Sequence, residues 1–173
     1  MVKYGILSDT HMSENDDPAV VQNLLDQLTT IFRDVDEIVH AGDIVDIKFL
    51  KNLENIAPVK VVRGNMDESK DLEIFMKFSV GDYTIGVIHE LPENLEDFVK
   101  SNKLQVLIHG HTHQPMIENT PYNALLVNPG SPTQPKAPPQ KRGFAKPYPR
   151  STVLTLNIDK DNILTTFIIT LKI

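Results

Sequence analysis

Cysteine is missing from the 173-residue chain, which excludes disulfides and thiolate–metal sites alike. No apolar run approaches the roughly 20 residues needed to span a bilayer, and the opening segment lacks a secretory-leader pattern. The expectation is a soluble, cytoplasmic protein with no membrane partner. An excess of basic charge is also missing: 17 Lys and Arg stand against 23 Asp and Glu, a net charge of −6. Sequence-independent grip on a nucleic-acid backbone normally needs a basic face, so no stable nucleic-acid complex is expected. Hydrophobic residues make up 40% of the chain, enough for one globular domain over residues 1–173. Association into a homo-oligomer is left open.

One stretch departs from the average. Pro129 to Arg150 carries Lys136, Lys141, Arg142, Lys146 and Arg150, no acid, and seven of the twelve prolines.

Periodicity supplies the expected elements. Val2–Leu7 reads as a buried strand. Asp17-Pro18 starts a helix whose apolar face is Val21, Leu24, Leu25, Leu28, Ile31 and Phe32. Glu37–Ala41 and Pro58–Val62 are further strands, separated by a helix capped by Asp46 and carrying Phe49, Leu50 and Leu53. Ile74–Val80 and Thr84–Ile88 form a hairpin around Gly81-Asp82. Leu95, Phe98 and Val99 mark a short helix, and Leu104–Ile108 a strand. Thr152–Ile158 and Ile163–Leu171 close the chain as a hairpin around Asp159–Asn162. The first half predicts a parallel sheet with helices packed on it; the second reads as mostly antiparallel. Two sheets face to face, helices outside, accommodate both.

Five of these strands lead into metal-competent side chains. Leu7-Ser8 precedes Asp9-Thr10-His11. His40-Ala41-Gly42 precedes Asp43, and Arg63-Gly64 precedes Asn65. Ile88 precedes His89, and His109-Gly110 precedes His111-Thr112-His113. In open α/β sheets, ligands bind beyond the carboxyl ends of strands, so these residues are expected to converge on one rim. In extended chain, residues i and i+2 point the same way, which lets Asp9 and His11 reach one ion. Gly42, Gly64 and Gly110 each precede a candidate ligand, permitting a sharp turn and leaving room for substrate. Two Asp, one Asn and four His form an oxygen/nitrogen shell suited to Mn²⁺, Fe²⁺, Zn²⁺ or Ni²⁺, with Mn²⁺ placed first. Seven ligands are too many for one ion with an open position and fit two ions about 3.5–4 Å apart sharing a carboxylate. Two divalent ions, two aspartates and one bridging hydroxide sum to about +1, which attracts a phosphodiester anion. The hydroxide is then the nucleophile, and the ions stabilise the phosphoryl oxygens.

Asp9-Thr10-His11, Gly42-Asp43, Gly64-Asn65-Met66-Asp67, His89 and Gly110-His111-Thr112-His113, in this order, resemble the five motifs of the calcineurin-like metallophosphoesterases. Small size and Asn128-Pro129-Gly130-Ser131 make the chain similar to the short prokaryotic YfcE-type phosphodiesterases. The resemblance runs from residue 1 to about residue 131 and implies an α/β fold, a four-layer αββα sandwich. It also implies Asp43 as the bridging ligand, with Asp9, His11 and His113 completing one site and Asn65, His89 and His111 the other. Asp43, Asn65 and His89 are read as catalytic as well as metal-binding.

Two positions depart from the family pattern. Met66 stands where many relatives have a histidine that protonates the leaving group or binds phosphate, which favours diesters over monoesters. Glu90 follows His89 where relatives usually have glycine; its carboxylate either orients a metal-bound histidine or crowds the substrate. Asp67 is expected to brace the metal loop by a hydrogen bond. His40 and His109 read equally as supports for the ligands and as structural strand-end histidines. Arg63 reads as a phosphate contact or as an exposed arginine. The basic, proline-rich loop 132–150 either overhangs the metals and attracts anionic substrate or is a solvated loop or subunit contact. The function expected is hydrolysis of small or nucleotide-like phosphodiesters. A non-catalytic scaffold, as in the retromer subunit of this fold, and a nuclease are the alternatives.

Overall fold

The computed structural model describes residues 1–13 and 15–173. In chain order its elements are β1 (Val2–Leu7), α1 (Pro18–Ile31), β2 (Glu37–His40), α2 (Ile47–Glu54), β3 (Val59–Val61), β4 (Phe75–Val80) and β5 (Tyr83–Ile88). There follow α3 (Leu95–Asn102), β6 (Val106–Ile108), β7 (Pro115–Asn119), β8 (Leu125–Pro129), β9 (Thr152–Ile158) and β10 (Leu164–Thr170). The strands form two five-stranded sheets, in the orders β10-β9-β1-β2-β3 and β4-β5-β6-β8-β7.

Alternation along each strand builds the layers. Ile6, Val39, Leu154 and Leu156 of the first sheet meet Ile85, Val87, Val106, Ile108 and Val127 of the second in the central core. The neighbouring residues Leu7, Ile38 and Val153 point the other way, onto Leu24, Leu28 and Phe32 of the α1 region and Phe49, Leu50 and Leu53 of α2. On the far side, Ile88, Leu107 and Leu126 receive Val99 of α3. The result is helix, sheet, sheet, helix, as the resemblance implied. Asp17 and Asp46 cap the first two helices, each accepting from the backbone N–H two residues on at 2.8 Å. An exposed cap of this kind contributes about 1 kcal/mol.

The second half is mostly antiparallel, as expected, with β9 antiparallel to both β1 and β10, but the second sheet has a parallel centre. Within that sheet, β5 pairs with β6, and β6 with β8, in parallel, while the edge strands β4 and β7 run antiparallel to their neighbours. The α3 crossover from β5 to β6 imposes the parallel pairing, as such connections do. β7 and β8 carry no signal in the periodicity: β7 is a half-exposed edge strand beginning at Pro115, and β8 ends on Asn128-Pro129.

Candidate metal centre

Backbone pairing continues beyond the strand ends and brings four loops together. The Asp9 N–H donates to the Gly42 carbonyl at 2.9 Å, His11 N–H to the Asp43 carbonyl at 3.0 Å, and Gly110 N–H to the His89 carbonyl at 3.0 Å. The loops then turn sharply. Asp9, His11, Asp43, His111 and His113 all have positive φ, between 42° and 66°. For a residue with a Cβ each such conformation costs about 1–3 kcal/mol and persists only where its surroundings enforce it. Asp9 and His11 therefore reach the same point through two left-handed residues, not through the extended chain expected from their spacing.

The donor atoms fall into two clusters joined at one oxygen. In the first, Asp9 Oδ1 lies 3.3 Å from His113 Nε2 and 3.9 Å from His11 Nε2, and the two ring nitrogens are 3.3 Å apart. In the second, Asn65 Oδ1 is 3.0 Å from both His89 Nε2 and His111 Nδ1. Asp43 Oδ2 stands between them, 3.7 Å from His11 Nε2 and 3.3 Å from His89 Nε2. Ligands held about 2.0–2.1 Å from one ion lie roughly 3.0–3.4 Å apart at octahedral or tetrahedral angles. Most of the observed separations fall in that range, the 3.7 and 3.9 Å contacts of His11 lying just outside it, and both clusters could hold a divalent ion. Asp9, His11 and His113 form one compact donor group, and Asp9, Asp43 and His89 an overlapping second.

Partners outside the clusters fix how each donor faces. His89 Nδ1 donates to the Ala41 carbonyl at 2.8 Å and His113 Nδ1 to the Gln134 carbonyl at 2.7 Å. Each contact leaves the Nε2 lone pair aimed at the cluster. The Met66 N–H occupies Asp43 Oδ1 at 2.8 Å, leaving Oδ2 for the shared position. Asp67 braces the loops as expected. Its two oxygens accept four backbone N–H groups, from Asp43, Ile44, Val45 and Gly64, at 2.7–2.9 Å. The glycines serve the loops rather than a substrate. A Cβ on Gly64 would lie 2.1 Å from Asp43 Oδ1, and one on Gly110 1.9 Å from Ser8 Oγ.

Burial pushes the Asp9 carboxyl above its usual range and the His11 imidazole below its own. For Asp43, burial works upward, but contacts with His89 and the Met66 N–H prevail and hold it low. For His89, burial works downward, but the Asp43 and Ala41 contacts prevail and hold it high. Two acids and four histidines packed at this density favour a bound divalent cation, which demands deprotonated donors.

His40 is a support: its Nδ1 accepts the Gly42 N–H at 3.2 Å and its Nε2 donates to Thr10 Oγ1 at 3.0 Å, tying two donor loops. Complete burial pushes its pKa down to about 3. His109 is the structural kind. It is buried, its Nδ1 lies 3.3 Å from both the Gly110 carbonyl and the Asn128 amide nitrogen, and burial pushes its pKa down to about 4. Arg63 lines a groove beside the second cluster with Asn65, His89, Glu90 and Glu93. The loop 132–150 splits in two. Its root reaches the centre, where Ser131 Oγ donates to the Asp9 carbonyl at 2.7 Å and Thr133 Oγ1 to the Thr10 carbonyl at 2.8 Å. Its basic part lies elsewhere, with Lys136, Lys146 and Arg150 lining a cavity against Ile168 and Thr170 of β10. Asn128, whose amide nitrogen donates to the Gly110 carbonyl at 2.9 Å and to Thr112 Oγ1 at 3.1 Å, is a further brace. The Asn128–Ser131 tetrapeptide stands out in the sequence, but only the fold gives it these partners.

Among the described residues, no helix is long and apolar enough to cross a membrane. A profile of the calcineurin-like phosphoesterase superfamily domain matches residues 2–160. A probable metallophosphoesterase of Methanothermobacter thermautotrophicus is 36% identical over 140 residues, 76% of this chain and 78% of the relative. A phosphodiesterase of Methanocaldococcus jannaschii is 29% identical over 147 residues, 75% of this chain and 83% of the relative. Two solved structures share the fold at 21% identity. Zinc-complexed Vps29 of Entamoeba histolytica superposes with a TM-score of 0.73, covering 98% of this chain and 99% of that one. The phosphoesterase YfcE of E. coli superposes at 0.64, covering 99% and 100%. By its motifs, its fold and these relatives, the chain belongs to the calcineurin-like phosphoesterase superfamily, whose chemistry is metal-dependent hydrolysis of phosphoric esters.

Proposed function

We propose that the chain is a dinuclear metal-dependent phosphodiesterase acting on small phosphodiesters. The observation that carries this is the position of Asp43 Oδ2, within 3.7 Å of His11 Nε2 and 3.3 Å of His89 Nε2. One carboxylate oxygen thereby stands between the two donor clusters. Two divalent ions, with Mn²⁺ first among Mn²⁺, Fe²⁺, Zn²⁺ and Ni²⁺, would supply a hydroxide at neutral pH and positive charge for the phosphoryl oxygens. Asp9, His11 and His113 hold the buried side of the centre; Asn65, His89 and His111 hold the side that opens to solvent. Asn65 Oδ1 lies 3.0 Å from His89 Nε2 and from His111 Nδ1, so the three donors face one point.

Diester preference rests on what stands beside Asn65. Met66, next to Asn65 in the chain, is 55% exposed and offers no proton to a leaving group, so an ester that leaves without protonation, or a diester of modest leaving-group pKa, is favoured.

Hydrolysis of bis-p-nitrophenyl phosphate by protein loaded separately with Mn²⁺, Ni²⁺, Fe²⁺ or Zn²⁺ tests the reading. Turnover with at least one ion is expected. Asp43→Asn should lower it by at least about 100-fold, the upper end of what losing a supporting partner costs, while the fold persists. Wild-type rates in that variant contradict the bridging role. Bound metal without turnover on any ester favours a scaffold instead.

A further inference from the structure

Glu90 occupies an unusual place for a carboxylate in a site that must bind an anion. It directly follows His89, it is exposed, and its Oε1 lies 3.7 Å from His111 Nε2. The groove that opens from the second cluster has a volume of about 650 Å³. Its lining beyond the donors is apolar, from Ile74, Ile88, Leu91 and Pro92, and its charged members are Arg63, Asp67, Glu90 and Glu93. Asp67 is saturated by four backbone N–H groups. One cation and two carboxylates remain, so the groove is acidic at the point where a substrate must enter.

We infer that Glu90 is the specificity-determining residue of this centre, selecting monoanionic diesters with an uncharged or cationic flanking group and turning away dianionic esters. The inference rests on the phosphodiesterase reading above and names its substrate class. Two divalent ions, Asp9, Asp43 and a hydroxide sum to about +1; Glu90 brings the centre to about zero. A diester then raises the charge by one negative unit and a monoester by two. The second unit is felt at short range in a half-enclosed site, where screening is incomplete. The apolar wall of Ile74, Leu91 and Pro92 suits the body of a flanking group, and the carboxylates of Glu90 and Glu93 suit its hydroxyl or ammonium donors. A second phosphate in that position would meet two negative charges.

The test compares wild type, Glu90→Gln and Glu93→Gln, each loaded with the same metal. Bis-p-nitrophenyl phosphate and p-nitrophenyl phosphate share a leaving group and differ by one negative charge. Glu90→Gln should raise the monoester-to-diester ratio of kcat/KM roughly tenfold and tighten competitive inhibition by inorganic phosphate by a similar factor. Metal affinity measured by calorimetry should stay unchanged. Glu93→Gln, in the same groove but without the His111 contact that Glu90 makes, should move the ratio less. An unchanged ratio with unchanged phosphate inhibition overturns the inference. So does a fall in metal affinity at constant ratio, which would make Glu90 a positioning residue for His111. Wild type inactive on both esters would overturn the phosphodiesterase reading separately; phosphate binding by calorimetry would still report whether the Glu90 charge repels an anion.

Discussion

Asp67 concentrates the greatest structural consequence in one side chain. Its carboxylate accepts four N–H groups from two donor loops, and hydrogen bonds to a charged acceptor are each worth about 1.5–3 kcal/mol, though not additively. An amide in its place offers one acceptor oxygen and turns an NH₂ group toward N–H donors. Asp67→Asn should therefore destabilise the protein by about 3 kcal/mol in urea unfolding and weaken metal binding, since Asp43 and Gly64 lose their common tie. Unchanged stability would make those four contacts incidental. The same logic explains the left-handed donors. Asp9, His11, Asp43, His111 and His113 hold costly conformations because carboxylate and carbonyl partners on neighbouring loops leave them no alternative.

At the scale of elements, the strands set direction and the loops after them set distance. β1, β2, β5 and β6 end at one rim, and close loop packing at Gly64 and Gly110 lets the loops touch. Gly64→Ala puts a methyl within 2.1 Å of Asp43 Oδ1 and 2.3 Å of its backbone nitrogen, and backbone cannot swing aside as a flexible side chain does. Loss of about 1–3 kcal/mol and a marked drop in metal affinity are expected; calorimetric titration with Mn²⁺ checks the second, and wild-type affinity would refute it. Much of this scale is legible in the sequence. Helix caps at Asp17 and Asp46, the apolar faces of α1 and α2, and polar residues waiting at strand ends are local patterns. Three things are not. β7 and β8 are bounded by Pro115 and Pro129 and lack alternation. The left-handed turns fall on Asp and His, which carry no glycine signature. The carbonyl of Gln134 that aims His113 is a backbone atom, and its position depends on how an irregular, proline-rich loop returns to the core.

The whole molecule carries an acid-sensitive weakness. His40 and His109 are buried neutral, with pKa values pushed down to about 3 and about 4. An unfolded histidine takes a proton below about pH 6.5, so the unfolded chain binds more protons than the native one between that value and the folded pKa. Native stability is then full above about pH 6.5 and declines as pH falls toward 4 and 3. For metal-free protein, each histidine should cost about 2 kcal/mol between pH 7.5 and pH 5. His40→Gln should remove about half of the loss due to the pair, read from urea unfolding at both pH values. An equal slope in variant and wild type would show that His40 protonates as easily in the folded state.

The proposed activity depends on two cation sites sharing one carboxylate oxygen. The most direct measurement is anomalous diffraction at the manganese edge from crystals soaked in Mn²⁺. Two peaks roughly 3.5–4 Å apart are predicted, one among Asp9, His11 and His113 and one among Asn65, His89 and His111, with Asp43 Oδ2 between them. A single peak, or a pair lying away from Asp43, would contradict it.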